Sequence, residues 1–288
     1  MSKIHIAVIL SGYQELGLKR FINYYKIKDK IIIFKYSNIS IEDFKYTKNI
    51  TKKVYTNKFF FLIYFFLVLL INLFSKKKFI FGDPDSNFCN FLSNFISGKN
   101  ITYLDDGSGT ISFNFNRLKR ESSIFTIYNI NVPKKIKKIQ YFPNYKKKIK
   151  RTVDKTLLIG APFISRNICS KEKFIEIIKN FSKFKKIYYY PHRFETDELQ
   201  LLPKNFMLLK RRASVEKFLY NYKYNFKYIY SFNSSSLTEI INFYIKKKIL
   251  VYDTGRFFDK TAENIERKRV LKNHLNYLKK LKIKIIKL

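Results

Sequence analysis

Tryptophan is absent from this chain, and 288 residues contain only two cysteines. Cys89 and Cys169 lie far apart, without Cys-x-x-Cys spacing, so both read as ordinary buried thiols of a reducing compartment. Three histidines and no clustered Cys/His spacing exclude a structural zinc site. Acidic residues are scarce: 21 Asp+Glu face 58 Lys+Arg, a formal net charge of +37. The basic excess runs through 133–151, 204–227 and 261–288, and so is not a tail. Part of it belongs to a general bias in which Lys, Ile, Asn, Phe and Tyr are all abundant. Even so discounted, the surface favours anionic partners: nucleic acid, an anionic lipid surface, or a phosphorylated or nucleotide substrate. With 46% hydrophobic and 18% aromatic residues, the chain is foldable and not a disordered basic segment.

Several signatures are missing as well. No P-loop, His-Glu-x-x-His or Gly-x-Ser-x-Gly motif occurs. Gly12-Tyr13-Gln14-Glu15-Leu16-Gly17 lacks the closely spaced glycines of a dinucleotide fold. Asp83-Pro84-Asp85 has the letters of an Asp-x-Asp metal motif but stands alone. Zinc-finger, RRM-type and helix-turn-helix patterns are absent, so a nucleic-acid-binding module is an alternative supported by charge alone. The longest largely apolar run, Phe59 to Phe74, has sixteen residues, none charged, short of the roughly 20 of a spanning helix. Lys58 and Lys76 to Lys78 flank both ends, so the positive-inside bias gives no orientation. The run reads as a buried or membrane-surface helix; apolar on every face, it needs a cover of protein, partner subunit or lipid. A structural membrane protein spanning through this run is the weakest alternative. The N-terminal run Ile4 to Leu10 is brief, contains His5 and precedes Gly12, which suits a first strand better than a signal peptide.

What is present is an alternation of strands and helices. Strands are expected at 3–11, 30–36, 78–81 and 101–104, with helices at 13–25, 59–74 and 87–96 and a short helical turn at 40–44. The basic stretch 134–151, with Pro133 and Pro143, reads as a surface connection. Beyond it, strands are expected at 156–160, 187–190, 206–209, 228–231, 248–252 and 282–286, with helices at 171–181, 214–220, 236–244 and 262–280. Such alternation predicts an α/β fold with two mostly parallel sheets, 1–150 and 151–288, and a cleft between the halves.

Three loops after strands carry the chemistry, where open α/β sheets place ligands. Asp105-Asp106-Gly107 follows a buried strand and leads into Ser108-Gly109-Thr110. Adjacent strand residues point to opposite faces, so one carboxylate meets substrate while the other accepts backbone N–H groups or orients the first. Pro191-His192-Arg193 follows Tyr188-Tyr189-Tyr190. Arg193 offers a bidentate fork for phosphate, His192 a proton, and Glu195 a partner that sets the His192 tautomer. Asn233-Ser234-Ser235-Ser236 lies at a strand-to-helix junction, where one serine caps and the group forms a phosphate seat. Gly12-Tyr13-Gln14 and Gly82-Asp83-Pro84-Asp85 also follow strands of the first half and are assigned to the acceptor side. Asp253 and Arg256 are read as loop residues.

In that order and spacing, Asp105-Asp106-Gly107, Pro191-His192-Arg193 and Ser234-Ser235-Ser236 resemble the motifs of bacterial inverting sialyltransferases. The nearest group is the lipooligosaccharide sialyltransferases of glycosyltransferase family 52. The resemblance rests on about ten residues and implies a two-domain GT-B-like fold, residues 1–150 on the acceptor side and 151–288 binding the nucleotide sugar. It implies Asp105 as base and His192 with Ser234 to Ser236 on the donor phosphate; the reading of the loops themselves adds Arg193 on that phosphate and Asp106, Gly107, Gly12 and Asp83 in support. CMP-sialic acid is the implied donor, with no metal or cofactor required. A galactose-terminated, lipid-linked oligosaccharide is the implied acceptor, at the inner face of a bacterial cytoplasmic membrane, with a homodimer possible. Here proline precedes the histidine and arginine follows it, where the family has proline, so another nucleotide sugar used in capsule or surface-glycan synthesis is the alternative donor.

Overall fold

The computed structural model describes residues 3–36, 50–55, 57–71, 76–118, 121–143, 150–210, 214–232, 234–244 and 246–288. They form two compact units, Met1–Pro143 and Asn144–Leu288.

Unit 1 is built on a parallel sheet of β1 (Lys3–Ile9), β2 (Lys30–Tyr36), β3 (Ile50–Tyr55), β4 (Lys76–Phe81), β5 (Ile101–Leu104), β6 (Ser122–Thr126) and β7 (Ile136–Gln140), in the order β3-β2-β1-β4-β5-β6-β7. Ile6, Ala7, Val8 and Ile9 are wholly buried, as expected of a central strand covered on both faces. Four helices are α1 (Gly12–Tyr25), α2 (Lys58–Ile71), α3 (Asn87–Ser93) and α4 (Ser108–Ser112). The Ser11 hydroxyl caps α1 by accepting the Gln14 N–H. Phe61 and Phe65 anchor α2 against Phe34 of β2.

Three strands of this sheet escape the sequence pattern. β3 reads Ile-Thr-Lys-Lys-Val-Tyr and is tied inward by charge: Lys52 Nζ lies 2.7 Å from buried Glu15, which also holds buried Lys35 at 2.9 Å. β6 is a short strand opening on two serines. β7 runs through the stretch expected as a surface connection; Ile136 is buried while Lys137 and Lys138 face solvent. Lysines on an edge strand discourage further pairing, and they hide the strand from a hydrophobicity pattern. The expected helical turn at 40–44 and the end of the 59–74 run, 72–74, lie outside the described residues.

Unit 2 has a second parallel sheet of β8 (Thr152–Ile159), β9 (Ile187–Tyr190), β10 (Phe206–Leu208), β11 (Asn225–Ser231), β12 (Ile249–Asp253) and β13 (Lys284–Lys287), ordered β10-β9-β8-β11-β12-β13. Its helices are α5 (Lys171–Lys179), α6 (Asp197–Gln200), α7 (Val215–Asn221), α8 (Leu237–Ile240) and α9 (Ala262–Lys280). Phe181 sits among Tyr230, Phe232 and Tyr252, with ring centroids 5.1–5.8 Å away. Aromatic side chains thus fill much of this core.

Strand order reverses between β1 and β4 in unit 1 and between β8 and β11 in unit 2. At such a reversal, neighbouring loops leave the sheet in opposite directions and open a crevice at the carboxyl ends of the strands. Residues 10–14 and 82–86 flank the first crevice, and 160–165 with Phe232 and 234–236 the second. The loops after β5 and β9 each adjoin one of them.

Candidate functional site

In unit 1 the crevice is organised by Gln14, 2% exposed. Its Oε1 accepts the Leu10 N–H at 2.7 Å and its Nε2 donates to Asp106 Oδ1 at 2.9 Å. A Cβ at Gly82 would lie 2.1 Å from Gln14 Oε1, so glycine there makes room for the amide. Gly12 is the first residue of α1; Tyr13 and Gln14 follow it.

The two adjacent aspartates have separate fates. Asp105 is 1% exposed, and its Oδ2 accepts the Ile127 N–H at 2.7 Å. It ties the end of β5 to the chain leaving β6. Asp106 is partly exposed; its backbone N–H donates to Thr110 Oγ1 at 2.8 Å while Gln14 holds its carboxylate. Gly107, at φ 64° and ψ −137°, turns the chain into α4 through a conformation open to glycine.

Asp83 completes the group. Its Oδ1 accepts the Asp85 N–H at 2.8 Å. Burial first, then the neighbouring Asp106 carboxylate, pushes Asp83 up to about 7. The Asp106 charge disfavours ionisation of Asp83 and, with burial, brings that carboxyl toward the range in which general bases work. Asn90 Nδ2 donates to Pro84 O; a cavity of about 360 Å³ along α3, lined by Asn87, Asn90, Asn94 and Arg117 among others, reaches Ile101 and Ser122 at the amino ends of β5 and β6 and includes none of Gln14, Asp83 or Asp106.

In unit 2, His192, Arg193 and the serines occupy loops at the carboxyl edge. The His192 Nδ1 accepts the Phe194 N–H at 3.3 Å, which leaves the proton of the neutral ring on Nε2. Glu195 does not set this tautomer, contrary to the sequence expectation. Its carboxylate accepts the His192 backbone N–H at 3.1 Å and the Tyr189 hydroxyl at 2.9 Å, and burial pushes it up to about 8. A Cβ at Gly160 would come within 2.4 Å of both Glu195 and Tyr189, so glycine permits this bond network beside β8.

Arg193 lies over the Phe194 ring, 4.7 Å from its centroid, and Arg166 lies over the same ring at 3.9 Å. Two guanidinium groups thus gather on one aromatic side chain, 5.6 Å in ring centroid from His192. The loops are held by buried Glu198, which accepts N–H groups of Ile164 at 2.6 Å and Ser165 at 2.9 Å and the Ser165 hydroxyl at 2.5 Å. Arg166 and Glu198 carry no sequence motif; only the folded loops give them a role.

The serine cluster differs from a simple cap. Ser231 Oγ accepts the Ser234 N–H and Ser234 Oγ accepts the Ser236 N–H. Ser236 precedes α8 in helical geometry without a side-chain cap bond. Its hydroxyl instead hydrogen-bonds the buried Glu216 carboxylate, which burial and then Glu239 push up to about 7. Ser235 is partly exposed, and Asn233 lies outside the described residues. Asp253 accepts the Gly255 N–H and Arg256 pairs with Glu176 on the surface, as loop residues do. Among the described residues no three His, Cys, Asp or Glu side chains gather as a metal-binding group.

Sequence comparison finds no matching protein family and no match among curated proteins. The fold is similar to that of Arabidopsis thaliana UGT89C1 complexed with UDP-L-rhamnose: TM-score 0.56 and 10% identity over 100% of this chain and 85% of that one. MurG of Acinetobacter baumannii aligns with a TM-score of 0.48 and 9% identity over 98% of this chain and 85% of its own. The first likeness establishes the architecture as GT-B, two Rossmann-like parallel-sheet units, as the sequence led one to expect.

Proposed function

We propose that the chain is an inverting glycosyltransferase that uses a nucleotide sugar. The observation that carries this reading is the Asp83–Asp106 pair at the unit 1 switch point, with Asp83 near 7. A buried carboxyl raised toward neutral pH, set against the partly exposed Asp106 carboxylate, is an arrangement suited to taking a proton from a sugar hydroxyl. Asp105 was the expected base, but its buried carboxylate is engaged by Ile127; the reading therefore assigns the base to Asp106, supported by Asp83 and Gln14, and gives Asp105 a positioning role.

In the proposed step the acceptor hydroxyl loses its proton to the carboxylate pair, and its oxygen attacks the anomeric carbon. The bond from that carbon to the phosphate oxygen breaks, and its electron pair leaves with the nucleotide. His192, with its proton on Nε2, donates to the departing phosphate. Arg193 and Arg166 counter the rest of the charge and the hydroxyls of Ser234 and Ser235 hydrogen-bond the phosphate, while Ser236, whose hydroxyl is held by Glu216, positions the turn; protein donors perform this task without a metal.

The three-loop resemblance favours CMP-sialic acid as donor and a galactose-terminated oligosaccharide, lipid-linked at the inner face of a bacterial cytoplasmic membrane, as acceptor. A UDP-sugar is the second reading, favoured by the fold likeness to a protein complexed with UDP-L-rhamnose. Purified protein incubated with each donor and a galactose-terminated acceptor separates them: the expected result is acceptor-dependent release of CMP with a sialylated product, undiminished by EDTA. Release of UDP alone selects the second donor, and no release with any nucleotide sugar rejects both.

A further inference from the structure

The fourteen residues of α2 span about 21 Å, well short of the ~30 Å hydrocarbon core of a bilayer. Among the described residues no helix is long and apolar enough to cross a membrane. Yet α2 after Lys58 bears no charged side chain, and among the described residues its burial is one-sided. Phe61 and Phe65 face the sheet, while Phe59, Phe60, Ile63, Leu67 and Leu70 are exposed, Phe60 at 58% and Leu70 at 59%. Residues 59, 60, 63, 67 and 70 recur at helical spacing and make one stripe. Phe66 of α2 packs edge-on against Phe95, which packs on Phe91; both of these are also exposed. The apolar surface thus continues from one helix onto the next.

The sequence on either side of it is basic. Between 44 and 82 the sequence has eight lysines (45, 48, 52, 53, 58, 76, 77 and 78) and no acidic residue. Lys53 Nζ sits 4.2 Å from the centre of the Tyr64 ring on α2, and Lys77 Nζ donates to Leu69 O. A second copy of the chain would bring the same lysines and another +37 against this face. A surface of anionic lipid headgroups over acyl chains matches both features: lysines meet phosphate at the level of the headgroups, and the aromatic and aliphatic stripe enters below them. From this charge complementarity we infer that the exposed face of α2, extended by Phe91 and Phe95, docks in the plane of an anionic bilayer. This inference does not depend on the reaction or donor proposed above.

The absence of tryptophan gives a clean test with the full chain. Leu67→Trp introduces a single reporter on the stripe, and Ile265→Trp one on exposed, basic α9 of unit 2. With vesicles containing ~30% anionic lipid, emission of the Leu67→Trp protein should shift to the blue and be quenched by brominated acyl chains, while the Ile265→Trp protein stays unquenched. Vesicles of zwitterionic lipid alone should bind weakly. The triple variant Phe60→Ser, Leu67→Ser, Leu70→Ser, altered only at exposed positions, should keep its melting curve and lose about tenfold or more of its vesicle partitioning. Undiminished binding of that variant, with no quenching at position 67, would reduce the association to charge alone and overturn the inference. Quenching at position 265 instead would place the membrane on another face. A lipid-free dimer in sedimentation that the triple variant abolishes would make a second copy the occupant.

Discussion

Replacing Asp106 with Asn keeps the outline of the side chain and removes its basicity. In the proposed reaction Asp106→Asn lowers kcat by about 10²–10⁴-fold with donor KM little changed, measured as initial rates of nucleotide release. Asp105→Ala strands the Ile127 N–H in the interior, a cost of about 1–3 kcal/mol, and should appear first as a lowered melting temperature. A folded Asp105→Asn protein without activity, beside an active Asp106→Asn protein, would return the base to Asp105. Asp83 adds a pH signature. Its carboxyl must be ionised to assist, so kcat/KM should fall as pH drops through about 7. For stability the sign is opposite: a raised carboxyl contributes stability that is complete below its ordinary value of 3.8 and is lost as pH rises through about 7. At this scale the sequence disclosed which residues to examine but not which of two neighbours faces outward. Alternation along a strand says that Asp105 and Asp106 diverge; only the position of Ile127, reached through β6, says which one is consumed by the backbone.

Among the elements, α9 combines an exposed, lysine-rich side with a buried histidine. His274 is 0% exposed, and neither ring nitrogen has a hydrogen-bond partner among the described residues. Burial pushes it down to about 4. Its depressed value means stability present above the ordinary 6.5 is lost as pH falls towards 4. His274→Leu removes two unsatisfied polar atoms and should stabilise the protein by about 1 kcal/mol or more, with a larger gain at pH near 5 than near 7.5 in thermal melts. Identical curves at both pH values would show that the imidazole is satisfied after all. The long helices and the apolar strands were legible because their periodicity is local. β3 and β7 were not, because each carries a pair of adjacent lysines at its centre, and β3 is drawn inward by Glu15 of α1, which no window on residues 50–55 contains. Arg166 and Glu198 escaped for the same reason: their partners lie about thirty residues away, across parallel strands.

For the molecule as a whole, the formal charge of +37 is a load on the compact state, since like charges repel over a Debye length. Raising salt from ~0.02 M to ~0.3 M should therefore raise the melting temperature, the reverse of what a surface ruled by ion pairs would show. The surface pairs present, such as Lys227 with Asp154 and Arg256 with Glu176, are exposed and contribute little. A melting temperature that falls with salt would mean that basic groups are better compensated than their number suggests.

The strand-and-helix alternation, the burial of the central strands and the loops that bear aspartate, histidine and serine follow from the order of residues alone. Each depends on a repeat of two or three-and-a-half positions, or on what must happen where a buried strand ends. The tertiary structure decided the rest. It placed Gln14 across Gly82 to hold Asp106, set Asp83 against that carboxylate, gathered Arg166 and Arg193 on Phe194, and left Phe60, Leu67 and Leu70 of α2 exposed. These are contacts between strands that lie side by side in a parallel sheet yet are separated in the chain by whole crossover helices. Reach of that kind is a property of strand order, and strand order is written in no local pattern.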